Sequence, residues 1–383
     1  MLSPEACRSR RERLWKLVPE EVDWILLSDP KHLTYLANWR PSPFEFRSDQ
    51  AEAVLILGRQ GSSTLVADNL LEPYAQYVAA DEVLTPTWYR GQAAAPDRGL
   101  FLIRNTLDQL RSRTGSRFGI EAGRLPAGIG EGLRQLRQSL EYTDISAFLR
   151  QMRRSKDADE VELLRRSARA CVAGFAAAAL AIEPGMTEFD LYLLVQSAAQ
   201  EALGAQAMLY GDFASGPRCT TGGPPTHRQL EPGDPVLLDF SVVLWNYRAD
   251  LARTFICGTE PSARQLEVHG ACVEALAAGE NLLRAGTRCE DLDRAVRSVL
   301  EKHGLGAFHR GHLGHGIGLG HPEPPFIVPE STEVLAAGDV VTLEPGAYIP
   351  GEFGLRIERN YIIGPAGFEP LSQHEVGLAL HEY

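Results

Sequence analysis

Paired cysteines are missing from this chain of 383 residues: Cys7, Cys171, Cys219, Cys257, Cys272 and Cys289 form no Cys-x-x-Cys pair and fall mostly in apolar or helical stretches. That distribution suits reduced thiols acting as small hydrophobes, as expected of a cytoplasmic protein. Positive charge is also short, with 38 Lys and Arg against 50 Asp and Glu, a net charge of -12 and a pI near 5.4. Phosphates and acidic lipids would be repelled, which excludes nucleic acid and anionic membranes as partners and leaves small or cationic ligands. Long apolar runs are absent too. The longest, CVAGFAAAALAI from Cys171 to Ile182, is too short to span a bilayer, and the opening MLSPEACRSRRERLW has no apolar export segment. A soluble, folded, unexported protein is the expectation.

What is present points to two domains, since a chain of this length with 44% hydrophobic residues can build two cores. RRERLWKLV reads as helix, VDWILLSD, AEAVLILG and TLVAD as strands, and RFGIEA follows a helical stretch around LIRNTLDQLRSR. This alternation predicts an α/β domain over residues 1–155. Around QMRRSKDADEVELLRRSARA the chain becomes densely charged, and Asp157 or Asp159 is placed to cap a long helix running through Leu180. A second domain is therefore expected over residues 156–383.

The second domain holds a faint internal repeat. EPGMTEFDLYLLVQSAAQ followed by EPGDPVLLDF is echoed by RAGTRCEDLDRAVRSVL followed by AAGDVVTLEPG. Gly185 and Gly286 open equivalent helices, Asp234 and Asp339 occupy matching turns, and Asp239 and Glu344 lie at the same offset in the strands that follow. Each half thus delivers one carboxylate toward a common centre.

Asp239 sits inside VLLDF, a pattern of buried strand in which an ionised carboxylate costs several kcal/mol unless paired or bound to a cation. Asp250 follows eleven residues on in NYRADLARTF, as a hairpin partner would, and Glu344 and Glu358 lie fourteen residues apart in VVTLEPG and GLRIERNYIIG. Strand alternation brings only Arg248 and Arg356 to the carboxylate face. Two divalent ions would balance the four charges. Carboxylates with a single imidazole suit Mn²⁺, Co²⁺, Zn²⁺ or Fe²⁺, and two adjacent metals can share and activate a water. Three histidines, His312, His315 and His321, compete for the imidazole position within HLGHGIGLGHPEPP. Gly314, Gly316 and Gly318 around His315 allow the backbone to approach a ligand closely.

These motifs, Asp-x10-Asp closing in RTF, GHGIGL, LEPG and GLRIE in that order, resemble the pita-bread metallopeptidases, the group of methionine aminopeptidase, aminopeptidase P, prolidase and creatinase. DPKHLTYLANW and FGIEAG are similar to the creatinase/prolidase amino-terminal domain. The resemblance implies an α/β N-terminal domain joined to an α+β pita-bread catalytic domain with an internal pseudo-twofold repeat. It further implies that Asp239 chelates one metal, that Asp250 and Glu358 bridge two, that His315 and Glu344 complete the second, and that Glu344 is also the general base. Arg356 falls where the family keeps an arginine near the site, in a salt bridge or in contact with substrate.

Two departures stand out. Prolidases and aminopeptidase P carry histidines four before and seven after the metal-binding one, where this chain has Gly311 and Pro322; His312 and His321 lie one step inward. Another family histidine is missing near Gly222 or Gly223, and His227 comes several residues late. His321 either reaches in as a catalytic substitute or stays in a solvated loop, and His312 is read as making a structural hydrogen bond. Intact ligands argue against a metal-free creatinase, and the N-terminal domain argues against methionine aminopeptidase. The implied activity is metal-dependent hydrolysis before proline in Xaa-Pro dipeptides by a homodimer with two divalent metals (Mn, Co or Zn). The alternatives are an aminopeptidase P acting on longer peptides, and a non-peptidase or binding member of the fold. The loop NWRPSPFEFRSD, residues 38–49, is either an ordinary exposed loop or a wall whose arginine receives the substrate carboxylate.

Overall fold

The computed structural model describes residues 1–45 and 52–380. The chain forms two compact units, Met1–Arg153 and Arg154–Tyr383. None of the described helices is long and apolar enough to cross a membrane.

The first unit is built on a six-stranded mixed sheet: β1 (Trp24–Leu27), β2 (Val54–Gly58), β3 (Ser63–Val66), β4 (Glu82–Leu84), β5 (Arg117–Ile120) and β6 (Glu141–Asp144), in the order β4-β3-β2-β1-β5-β6. Its helices are α1 (Pro4–Leu17), α2 (Pro30–Ala37), α3 (Arg98–Arg111), α4 (Ala127–Leu136) and α5 (Ser146–Arg154). β2, read as VLILG, is buried along its whole length, as its unbroken apolar run requires. Its Val54 and Ile56 pack with Leu26, Phe118, Leu102 and Leu110. Each such side chain contributes about 1.5–3 kcal/mol by leaving water.

In the second unit α6 (Ala158–Ala181) starts at Asp157, whose backbone N–H donates to Glu160 at 2.9 Å, a reciprocal cap that selects Asp157 over Asp159. One sheet comprises β7 (Met208–Ser215), β8 (Pro235–Leu244), β9 (Tyr247–Arg248) and β10 (Leu251–Ile256), with β8 central. A five-stranded sheet runs β12-β11-β13-β16-β17, from β11 (Gly314–Gly316), β12 (Glu323–Ile327), β13 (Val340–Leu343), β16 (Arg359–Ile363) and β17 (Phe368–Pro370). β14 (Gly346–Tyr348) and β15 (Gly354–Arg356) pair separately, and α7 (Glu188–Leu203), α8 (Ala263–Glu280) and α9 (Cys289–Lys302) complete the unit.

The repeat inferred from the sequence exists at the level of backbone hydrogen bonds. Gly185 N–H donates to Leu230 at 2.9 Å and Leu230 N–H returns to Met186 at 2.8 Å; Gly286 and Leu335, then Leu335 and Thr287, make the same exchange at 2.8 Å each. Isolated bridges join Thr187 to Gln229 and Arg288 to Val334. Gly185 and Gly286 have φ of 92° and 89°, Gly233 and Gly338 87° and 90°, a left-handed region that favours glycine in both copies. The two halves therefore place β8 and β13, with Asp239 and Glu344 at their ends of the repeat, in equivalent positions.

Candidate metal centre

Every residue of β8 is buried, and Asp239 lies in the middle of that strand, opposite Ala252 on β10 and Asp212 on β7. Gly211 beside it has no room for a side chain, because a Cβ would fall 2.0 Å from the Asp239 carbonyl oxygen. Asp250 precedes β10; its Oδ1 accepts from Ser241 Oγ at 2.9 Å, and that hydroxyl accepts from Arg248 Nε at 3.0 Å and Nη2 at 2.6 Å. Its backbone is locked by Asn360, which accepts from Asp250 N–H at 3.0 Å and donates to the Asp250 carbonyl. Glu344 follows β13, its N–H bonded to Leu313 O at 3.0 Å and its Oε1 accepting from Thr342 Oγ1 at 3.3 Å. Glu358 enters between β15 and β16, its N–H donating to Ala252 O at 3.0 Å.

Ligand atoms of Asp239, Asp250 and Glu358 lie within 4.8 Å of one another, and so do those of His312, His315 and Glu344. A cavity of about 310 Å³ opens onto this group, with Tyr210, Asp212, Arg248, Arg310 and Arg356 also on its walls. Two features show that the protein alone does not satisfy the cluster. Glu358 Oε1 is buried with no hydrogen-bond partner, and burial, then the charges of Asp250 and Glu344, push its carboxyl well above the ordinary carboxylate range. His315 Nδ1 faces only the Gly316 carbonyl at 3.0 Å, so it carries the proton and Nε2 presents a lone pair. That nitrogen looks at Glu344 Oε1 at 3.6 Å and Asp250 Oδ2 at 3.8 Å. A lone pair facing carboxylate oxygens without a proton is repulsive, and a cation among them turns the contact attractive. Burial lowers the His315 pKa and keeps the ring neutral, as a metal ligand must be. The donor set therefore fits divalent metal.

Asp250 behaves oppositely to Glu358: burial opposes its charge, but the hydrogen bond and charge of His321, with Arg248 and His315, outweigh it and hold the carboxyl low. His312 Nε2 stands 3.1 Å from Glu344 Oε1, and that contact raises its pKa. Its hydrogen bond is thus made to the centre itself. His321 Nε2 contacts Asp250 Oδ2, so the side chain reaches into the cavity instead of staying in a solvated loop. Arg356 both lines the cavity and pairs with Asp239, while its Nε donates to Tyr348 Oη at 2.5 Å.

Trp39 of the 38–49 loop is among the largest fully buried side chains of the first unit, so it forms no exposed wall, and residues 46–49 of that loop lie outside the described residues. His227 does not substitute for the missing upstream histidine: its ring packs on Phe189 at 5.6 Å and is not among the cavity residues. The reason for the vacancy is visible at Gly222, where a Cβ would fall 2.3 Å from Asp212 Oδ2. Asp212, which escaped the sequence reading, takes that space with its carboxylate bonded to Gly223 N–H at 2.8 Å. Its only sequence signal is an acidic residue amid the strand MLYGDFAS.

The metallopeptidase family M24 model matches residues 162–365, more than half of the chain. The chain belongs to metallopeptidase family M24. It is accordingly a metallopeptidase with the pita-bread fold. An uncharacterized peptidase of Staphylococcus aureus (strain USA300) is 29% identical over 239 residues, 61% of this chain and 67% of the relative. Among solved structures, an Xaa-Pro dipeptidase from Bacillus anthracis is 25% identical with a TM-score of 0.82, covering 97% of this chain and 99% of the other. An X-Pro aminopeptidase from Thermotoga maritima MSB8 has a TM-score of 0.81 at 24% identity, covering 96% and 98%; this likeness speaks to fold.

Proposed function

We propose that this M24 enzyme cleaves the peptide bond before proline in Xaa-Pro dipeptides, using two divalent cations held by Asp239, Asp250, His315, Glu344 and Glu358. The observation that carries the proposal is the convergence of these five side chains around the partnerless Glu358 oxygen and the open His315 Nε2. Asp239, Asp250 and Glu358 would hold one cation, and His315 and Glu344 would complete the site for the second. When bound, such cations polarise the scissile carbonyl and lower the pKa of water. Mn²⁺, Co²⁺ and Zn²⁺ all suit this donor set.

The remaining work falls to the chain. Glu344 accepts the proton of the attacking water, its carboxylate oriented by Thr342 and His312, which both contact Oε1. Arg248, through Ser241, fixes the rotamer of Asp250, and Arg356 fixes Asp239. Arg310 is an exposed residue on the cavity wall, where a free C-terminal carboxylate of a dipeptide would meet it. That position favours dipeptides over longer peptides, whose carboxylate lies farther off. The active assembly is taken to be a homodimer, which light scattering on the purified protein tests.

Leu-Pro, a tripeptide beginning Leu-Pro and Leu-Ala, each assayed with Mn²⁺, Co²⁺ or Zn²⁺, separate the readings. Turnover of Leu-Pro alone supports the dipeptidase; cleavage of the tripeptide but not Leu-Pro overturns it in favour of an aminopeptidase. A protein that retains no divalent ion after loading and dialysis, by elemental analysis, would end the dinuclear reading altogether.

A further inference from the structure

The histidine one step inward from the family position does more than fill space. We propose that His321 is a metal ligand of this enzyme, adding a second imidazole beside His315 at the Asp250 end of the centre. This rests on the dinuclear reading above.

Three observations carry it. Ligand atoms of Asp250, His315 and His321 all lie within 4.8 Å of one another, so the three span the volume one cation needs. The His315 and His321 rings meet edge to face, with centroids 4.9 Å apart and planes at 89°, and Nε2 of each is directed at the same oxygen, Asp250 Oδ2. Two imidazole nitrogens that converge on one carboxylate oxygen form one face of a coordination polyhedron.

The third observation is how the turn is built. Glu323 Oε1 accepts from Lys156 Nζ at 3.0 Å in an ion pair whose side chains are 4% and 1% exposed, and Glu323 Oε2 accepts from Gly320 N–H at 3.1 Å. The buried carboxylate thus pins the residue immediately before His321. Gly318 and Gly320 are needed for that approach, because a Cβ at either would fall 2.6 Å or 2.8 Å from the Glu323 carboxylate oxygens. A loop left to solvent needs no buried ion pair beneath it; a ligand held in a fixed place does.

The consequence is a centre richer in nitrogen than four carboxylates and one imidazole. Extra imidazole moves preference from Mn²⁺ toward Co²⁺ and Zn²⁺, which bind nitrogen more strongly.

The test is calorimetric titration of the metal-free full-length protein with Co²⁺ alone, together with the visible absorption of the bound ion. In His321→Ala one of the two Co²⁺ sites is expected to weaken by roughly 10–100-fold, with a changed absorption band and partial recovery on adding free imidazole. His321→Gln separates ligand from hydrogen-bond partner, since its amide can donate to Asp250 but binds metal poorly: it too is expected to lose at least about tenfold. Gln or Ala variants that are folded by circular dichroism and bind both Co²⁺ within twofold of wild type, with an unchanged spectrum, overturn the proposal. If His321→Ala does not fold, the Gln variant decides alone. Wild-type protein that binds two Co²⁺ and cleaves Leu-Pro while both variants bind equally well would sink only the His321 assignment; wild type that binds none would sink the dinuclear reading instead.

Discussion

Among the described residues two buried groups combine histidine, carboxylate and arginine, one in each unit, and they differ in how far their own side chains satisfy them. In the first unit Asp29, His32 and Glu121 come as close together as the members of the cavity groups do. There, however, His32 Nδ1 meets Glu121 Oε1 at 2.5 Å and Nε2 meets Arg153 Nη1 at 2.5 Å. A guanidinium can only donate, so Nε2 is the acceptor and Nδ1 carries the proton to Glu121. Both ring nitrogens are used, and the charges of Glu121 and Arg153 cancel. Around His315, Nε2 is open and carboxylates outnumber guanidinium groups. Proximity of imidazole and carboxylate is common to both sites, and each keeps one buried carboxylate oxygen without a hydrogen-bond partner, Glu121 Oε2 and Glu358 Oε1; the open imidazole nitrogen and the uncancelled charge belong to one.

The sharpest way to break the comparison is to disable the open site. Glu344→Gln keeps the side-chain shape but removes the proton acceptor, and kcat on Leu-Pro is expected to fall by about 10²–10⁴-fold with the fold unchanged. Turnover near wild type would remove Glu344 from the role of base. The equivalent cut in the closed site acts on stability instead. Arg153→Ala leaves Glu121 buried without its counter-charge through His32, an expected loss of about 3–5 kcal/mol in urea unfolding. The bound metal count, measured by elemental analysis on the folded variant, should not change; if it did, the first unit's cluster would no longer count as self-contained.

Removing metal sharpens the same contrast at smaller scale. A cation present at about 100 times its dissociation constant stabilises the folded state by about 2.7 kcal/mol. Chelation is therefore expected to lower the Tm of wild-type protein, and to lower it no less in Arg153→Ala, because that variant still has the open site. An unchanged Tm in wild type on chelation would mean that the cavity holds no cation strongly enough to matter.

How far the sequence could be read follows from how local each cause is. The capped helix α6, the apolar strands β1, β2 and β8, and the glycine turns of the repeat have causes within a few residues, and all stand in the structure. The repeat and the strand pattern bring Asp239, Asp250, Glu344 and Glu358 to a common destination, whereas the choice of His315 among three histidines rested on the family resemblance. The strands β4 and β6, three and four residues long, are too short to show a period. Asp212 and Gly222 were illegible because their meaning lies in a contact between β7 and the loop that follows it, ten residues on in sequence. The sequence left the place of His321 open between two alternatives, since its turn depends on Lys156, 165 residues earlier, through the Glu323 ion pair.

A finer comparison lies between the two halves of the repeat, at the starts of α7 and α9. Where α9 buries Cys289, α7 buries Glu188, whose carboxylate accepts from Ser215 N–H and Oγ at 2.8 Å each, from Thr226 N–H at 3.0 Å and Oγ1 at 2.6 Å, and from Arg218. Burial raises the Glu188 pKa, but the hydrogen bonds of Thr226, Arg218 and Ser215 outweigh it and hold the carboxyl below its ordinary value. A folded-state pKa below the unfolded one means that the unfolded chain binds the proton more tightly, so this group's stabilisation is complete above the unfolded value of about 4.3 and is lost as pH falls below it. Cys289 has its thiol pushed up to about 12 by burial and contributes nothing in that range. Glu188→Gln is therefore expected to be less stable than wild type at pH 7 and to approach it as pH falls below about 4.3, in urea unfolding followed at each pH. A stability difference that stays constant over that fall in pH would show that the hydrogen bonds to Glu188 do not depend on its charge, and that the two helix starts differ in packing alone.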